Sequence, residues 1–211
     1  MTLKQFLYRS LIALALPLWG LGGTSCSESD EVGEYDNWAA RNQHYVDSIA
    51  RLADAGTDGW TKLIAFNMVL DEDNPDKNVN HYIYLQKLTA GDGERMPEYN
   101  DSIRMHYQGR LIPSMSYPQG RVFGKSYTNN TLNEAYDVPA LMAVNSNVVG
   151  FATAAMNMVE GDAWKIVVPY TLGYGVTNYT SANIPGYSTL IFDIKLARIY
   201  KYKIDKDTTW H

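Results

Sequence analysis

Two segments constrain the fold of this chain more than any other part: MVEGDAWKIVVPYTLGYG, Met158 to Gly175, and IPGYSTLIFDIKLARI, Ile184 to Ile199. A glycine turn, Val159-Glu160-Gly161-Asp162, feeds an apolar strand that runs into a loop carrying Tyr174 beside Gly175. An Ile184-Pro185 corner then leads into a last strand. That strand alternates Leu190, Phe192, Ile194 and Leu196 on one face with Ile191, Asp193 and Lys195 on the other. Together the segments bring a phenol, an aromatic wall and a backbone N–H to the mouth of one apolar cavity. They hold neither a nucleophile–base pair nor a cluster of metal ligands. An apolar pocket with a few oriented polar groups suits a hydrophobic peptide segment.

The rest of the pattern supplies the walls. Val148, Phe151, Ala155 and Met158 recur at helical spacing and predict a short helix with one buried face. From His81 onward, HYIYLQKL, the Gly91-Asp92-Gly93 turn and SIRMHYQGRL read as successive strands. Pro113 and Pro118 break the pattern after Leu111 and predict a loop near the pocket rim. The fold class predicted is α+β, an antiparallel sheet half-wrapped around the short helix. Ahead of it, Asp36 to Ala55 reads as an N-terminal helix, with Trp38, Tyr45, Ile49, Leu52 and Ala53 on one face. Asp36 caps its start and Gly56 ends it. Thr61 to Leu70 is apolar and reads equally as strand or helix. In Asp71-Glu-Asp-Asn-Pro-Asp76, Pro75 stands at a would-be ligand position and the glycine of a calcium loop is missing, so a solvated turn is expected.

The first residues read as a targeting leader. Lys4 and Arg9 precede a short apolar run, Leu11 to Leu21, too short to span a membrane as a helix. The single cysteine, Cys26, follows small residues in Gly22-Gly23-Thr24-Ser25 and is expected to be lipidated as in a bacterial lipobox, although Gly23 stands where a leucine is usual. Ser27 to Glu34 is a short acidic tether. The formal charge is −5, and losing Lys4 and Arg9 with the leader makes it more negative. Nucleic acid is not an expected partner, because phosphate binding needs clustered bases. Any membrane attachment is expected through the lipid.

The four histidines, His44, His81, His106 and His211, are dispersed, and no nucleophile elbow, phosphate loop or Cys-x-x-Cys pair occurs. Hydrolysis, phosphoryl transfer and redox chemistry have no visible apparatus, and neither cofactor nor metal is expected.

Several motifs in order resemble one family. Asp101-Ser-Ile-Arg-Met-His-Tyr-Gln-Gly-Arg-Leu111 is similar to the D-x-V-x-V-x-Y-x-G-x-L strand of FKBP-type peptidyl-prolyl isomerases. Val148-Val149-Gly150-Phe151 resembles that family's V-I-x-G-W helix start, and Val122-Phe123-Gly124-Lys125-Ser126-Tyr127 its F-D-S-S-type segment. GDAWKIVVP resembles the bacterial periplasmic branch. The likeness covers about Tyr82 to Tyr202 and implies an FKBP-like domain over 81–203; ahead of it the residues themselves divide into a leader over 1–25, the tether over 26–34 and a helical or ambiguous extension over 35–80.

The resemblance also implies site roles. Tyr107 and Phe123 would line the pocket, with Phe192 on its wall and Phe151 as its floor. Val148 or Val149 would present an N–H to substrate, the Tyr174 hydroxyl would bond a substrate carbonyl, and Ile184 would make an apolar contact at the rim. Three residues depart from the family pattern. Gly124 replaces an aspartate that meets the Tyr107-type phenol, Phe151 replaces a tryptophan, and Gly186 replaces the second proline of an I-P-P corner and should loosen that loop. The expected activity is therefore prolyl isomerisation weakened by Gly124, on proline-containing segments of exported proteins. The alternatives are a non-catalytic peptide-binding module, or a surface lipoprotein whose exposed aromatics bind peptide or glycan. The leader and Cys26, which with the acidic run resemble surface lipoproteins of the Bacteroides group, imply a lipid-anchored envelope protein at the outer membrane, periplasmic or surface-exposed. Related secreted isomerases carry helical extensions, so the Asp36–Ala55 stripe serves either the chain's own core or a homodimer.

Overall fold

A computed structural model describes residues 33–68 and 76–202. Cys26, the leader and the Asp71–Pro75 part of the acidic turn lie outside the described residues. Two helices and seven strands follow in the order α1 (Trp38–Asp54), β1 (Trp60–Ile64), β2 (Tyr82–Thr89), β3 (Ser102–Arg110), β4 (Val122–Lys125), β5 (Ala140–Ala143), α2 (Val149–Ala155), β6 (Ala163–Val168) and β7 (Leu190–Tyr200). All pairings are antiparallel, along the path β1-β2-β6-β7-β3-β4, and β5 joins β3 beside β4. The last strand lies inside the sheet because both its faces carry apolar residues. Leu190, Phe192, Ile194 and Leu196 point to one side and Ile191 to the other, all of them buried.

The first of those faces receives α2. Every residue of α2 except Val149 is buried, which a seven-residue helix rich in Ala and Gly tolerates because its backbone approaches the sheet closely. A Cβ on Gly150 would sit 2.3 Å from Val168 Cγ1. Thr153, buried within α2, donates to the Val149 carbonyl (2.8 Å) and accepts from the Phe66 N–H (3.2 Å), so its hydroxyl is satisfied. The periodic residue Met158 is buried too, but in the turn after the helix.

The opposite face receives α1, which packs on β1 and β2. Residues 35–80 thus supply a helix and a strand to the same unit, which spans Gly33 to His211. The segment that reads equally as strand or helix is strand over Trp60–Ile64, completing the sheet edge against β2. The buried face of α1 is Trp38, Asn42, Val46, Ile49 and Ala50, with Tyr45, Leu52 and Ala53 half-buried against the core. It is rotated from the apolar stripe read in the sequence because a polar residue, Asn42, lies at its centre. Asp36 does not cap the helix. Its carboxylate accepts from the Gly33 N–H (2.7 Å), and Asn37, left-handed at φ 52°, stands at the cap without a side-chain bond. Gly56, at φ +62°, follows the helix end as expected. Glu34, at the end of the acidic tether, is held by Ser116, whose N–H and hydroxyl both donate to its carboxylate (3.2 and 2.5 Å).

Candidate functional site

The open end of the α2 face is a pocket of about 390 Å³. Tyr107 enters it from β3, Phe123 and Gly124 from β4, and Phe192 from β7. Register explains the convergence: Tyr107 pairs with Ile194, and Gly109 pairs with both Gly124 and Phe192, so these residues share one face. The Phe192 ring meets Phe123 (centroids 5.6 Å, 88°) and Phe151 (5.3 Å, 76°) edge to face, a favoured aromatic geometry. Gly109 makes that triad possible. A Cβ there would lie 2.6 Å from two Phe123 ring atoms and 2.8 Å from Phe192.

The polar groups arrive from two loops. Ser146, Asn147 and Val148 line the pocket just before α2, Met142 lies at the edge on β5, and Tyr174, Tyr179, Ser181 and Ala182 come from the connection between β6 and β7. Tyr107 is fixed through its backbone, with its N–H donating to Ser126 Oγ (3.0 Å) and its carbonyl accepting from the Ser126 N–H (2.9 Å). Among the described residues, the hydroxyls of Tyr107 and Tyr174 have no hydrogen-bond partner. Tyr174 stacks on Tyr179 at 4.2 Å and 10°. Burial, and then the neighbouring phenols of Tyr179 and Tyr107, raise the Tyr174 pKa above its ordinary value, so it remains a proton donor at neutral pH. Among the described residues no Lys, Arg, His, Asp or Glu lines this pocket, and no group of three His, Cys, Asp or Glu side chains is placed to hold a metal ion.

Six sequence-predicted site residues therefore meet here: Tyr107, Phe123, Val148, Phe151, Tyr174 and Phe192. Two do not. Val149 follows Val148 into the first turn of α2 and is not part of the lining. Ile184 is 1% exposed and belongs to the core, while its backbone exchanges hydrogen bonds with Tyr179 (2.8 and 3.0 Å). Gly186 does not loosen its loop. Its N–H donates to Asn178 Oδ1 (2.8 Å), a bond proline cannot make, and a Cβ would lie 2.1 Å from the Val176 carbonyl oxygen. His106 is buried outside the pocket, and its pKa is lowered mainly by that burial. At Gly124 the space left by the absent aspartate is open, since a Cβ would meet only Tyr107, at 3.6 and 3.7 Å. No pattern or motif signalled Tyr179 or Ser181, which lie in a turn-rich loop without periodicity.

A sheet wrapped on one short helix, with an uncharged aromatic pocket where the helix begins, defines the FKBP-like class. Residues 93–197 match the FKBP-type peptidyl-prolyl cis-trans isomerase family, and the chain belongs to that family. It is 33% identical over 117 residues to the macrophage infectivity potentiator of Trypanosoma cruzi, covering 56% of this chain and 53% of that protein. It is 30% identical over 133 residues to the FKBP-type 22 kDa peptidyl-prolyl cis-trans isomerase of Escherichia coli, covering 62% of this chain and 57% of that protein. The chain thus spans about half the length of the curated relatives it matches. Among solved structures, a peptidyl-prolyl cis-trans isomerase of Pseudomonas syringae pv. tomato shares the fold with a TM-score of 0.54 at 20% identity, over 80% of this chain and 98% of that one. FkpA of Escherichia coli does so with a TM-score of 0.52 at 23% identity, over 78% and 62%.

Proposed function

We propose that the pocket binds proline-containing segments and catalyses their cis–trans isomerisation weakly. The observation that carries this reading is the convergence of the Phe123, Phe151 and Phe192 rings with two phenols that, among the described residues, have neither a partner nor a charged group beside them in the pocket. Rotation about a peptide C–N bond loses amide resonance, a barrier of ~18–20 kcal/mol for an ordinary amide. Catalysis requires the twisted amide to be bound better than the planar one. The aromatic walls suit a pyrrolidine ring, and the Tyr174 hydroxyl is free to donate to a substrate carbonyl beside it. The twisted amide has a less polarised carbonyl, so walls without charge favour it over the planar form. Each tenfold acceleration needs about 1.4 kcal/mol of such preference, so a few modest contacts give a measurable rate.

Gly124 favours a second reading, a binding module with little catalysis. With no carboxylate beside it among the described residues, the Tyr107 phenol lacks an interaction that could strengthen in the transition state. A proline-isomerisation assay on the purified protein, with proline-peptide binding measured in parallel, tests both. Binding with a slow but measurable rate is the expected result. Absence of binding to any proline-containing peptide rejects both readings and favours a surface protein that binds through its other exposed aromatics. We further propose that Cys26 is lipidated and anchors the protein in the cell envelope, at the outer membrane, where its partners are segments of exported proteins. Mass spectrometry of the native protein showing an unmodified Cys26 still joined to its leader would rule this out. A homodimer through α1 has less to support it, because the apolar face of that helix already packs on its own sheet.

A further inference from the structure

Four of the pocket residues, Tyr174, Tyr179, Ser181 and Ala182, come from one long loop between β6 and β7, and this loop is held from outside the region that matches the family. We propose that α1 is part of the pocket's framework, with Trp38 and Asn42 acting as positioning residues that fix the end of this loop and, through it, the Tyr174 and Tyr179 rings. The consequence for catalysis rests on the isomerase reading above; the mechanical tie does not.

Two buried hydrogen bonds make the tie. Trp38 Nε1 donates to Ser188 Oγ at 2.8 Å, 150 positions along the chain, and Ser188 Oγ donates on to the Pro185 carbonyl at 2.7 Å. Asn42 Oδ1 accepts from the Thr189 N–H at 2.7 Å, and Asn42 Nδ2 donates back to the Trp38 carbonyl at 2.8 Å. Trp38, Asn42, Ser188 and Thr189 are 6%, 1%, 2% and 0% exposed. A buried amide side chain is costly without partners, and here both ends of Asn42 have them. From Ser188 the path to the pocket is short. The next residue back, Tyr187, donates its N–H to the Gly175 carbonyl (2.9 Å), directly beside Tyr174, and Tyr179 is bridged to Ile184, directly before Pro185. Tyr187 is left-handed at φ 62°, a conformation uncommon for a residue with a side chain. Such a backbone persists where its surroundings fix it. Arg121 supports the far side of the same loop by donating to the carbonyls of Ala182 and Asn183. The pocket phenols are thus placed by a loop whose last residues are clamped to α1.

The test is amide hydrogen exchange on the full chain, comparing wild type with Asn42→Ala, Trp38→Phe and Ser188→Ala. The last two remove a hydrogen bond while leaving most of the packing, so the test survives if Asn42→Ala does not fold. The Tyr187 and Tyr179 amides are expected to exchange at least tenfold faster in the variants, while the amides joining β6 to β7 are unchanged. Exchange that is unaltered in the loop, or that rises equally in loop and sheet, overturns the tie. At a temperature where every variant is folded, kcat/KM for a proline peptide should fall several-fold. Faster loop exchange with unchanged kcat/KM overturns the positioning role. Should wild type show no isomerase activity, the isomerase reading fails while exchange still decides whether α1 holds the loop, and proline-peptide affinity replaces kcat/KM with the same expected fall.

Discussion

On the sheet face that carries α2, the hydroxyls of Tyr107 and Tyr174 have no partner among the described residues and point at a pocket without charge. Under α1, on the other face, several polar groups are instead joined to one another, although the buried Asn80 Oδ1 and Thr189 Oγ1 have no partner among the described residues. Trp38 is bonded to Ser188, Asn42 to Thr189, Arg110 to Asp193, and the Tyr84 hydroxyl to the Val79 carbonyl (2.7 Å). The contrast separates two uses of a buried or half-buried polar atom. Where it is paired within the chain it specifies one packing, and removing its partner costs stability. Where it is left free at a cavity it contributes little to folding and is available to a ligand. Substitutions on the two faces should therefore move different observables.

The largest effect is expected at the junction of the pocket walls. Gly109→Ala places a methyl group 2.6 Å from the Phe123 ring, so the aromatic triad must shift. We expect a loss of about 1–3 kcal/mol in urea denaturation, as for overpacked cores, together with loss of proline-peptide binding. Unchanged binding would show that the triad is not the pocket's wall. Tyr174→Phe comes next. It should lower isomerisation by about tenfold, or about 1.4 kcal/mol, with the denaturation midpoint unmoved, because no hydrogen bond among the described residues is lost. A stability loss without a rate effect would reverse the assignment.

A smaller effect is expected from a paired group at the start of β3. Burial alone would raise the pKa of Asp101, but the N–H groups of Glu98 and Tyr202 (3.0 and 2.8 Å) and the Arg95 guanidinium outweigh it, and the net shift is downward. A carboxylate whose folded pKa is depressed contributes stability that is present above its unfolded pKa, near ~3.9, and is lost as pH falls through the folded value. Stability should therefore drop by about 1 kcal/mol between pH 5 and the acid limit, with Asp101→Asn flattening that part of the profile and leaving binding at neutral pH unchanged. The smallest effect is expected for Gly124→Asp, which has room beside Tyr107. It should raise the isomerisation rate about threefold, roughly 0.6 kcal/mol, and raise ligand affinity less. A rate unaltered by a well-folded variant would show that the carboxylate is dispensable here.

The α2 face was legible in the sequence because burial there follows simple periods. Leu190, Phe192, Ile194 and Leu196 alternate, and Phe151 and Ala155 recur at helical spacing, so the sheet and the helix could be placed, whereas the six pocket residues were placed by the resemblance to the FKBP-type family and not by any period. The α1 face was less legible for a physical reason. Its centre is Asn42, whose burial depends on Thr189, a partner 147 positions away, and hydrophobic patterning cannot see such a pairing. The Gly186 loop was misread in the same way. Losing a proline suggests slack, yet the glycine both donates a bond and permits the approach of Val176. Tyr179 was missed because stacking on Tyr174 depends on loop geometry rather than on any repeat.

The position of β7 between β6 and β3 also bears on how the chain is made. Synthesis delivers β3 and β6 before the strand that separates them, so each waits with one row of backbone donors and acceptors open to any passing strand. Closing the sheet then means threading residues 190–200 between partners formed earlier, an arrangement dominated by distant pairings and hence slow. A chain cut short before Leu190 would keep most of its apolar residues and still lack the seam that joins its two halves. Such a truncation is expected to aggregate rather than form a smaller version of the same domain.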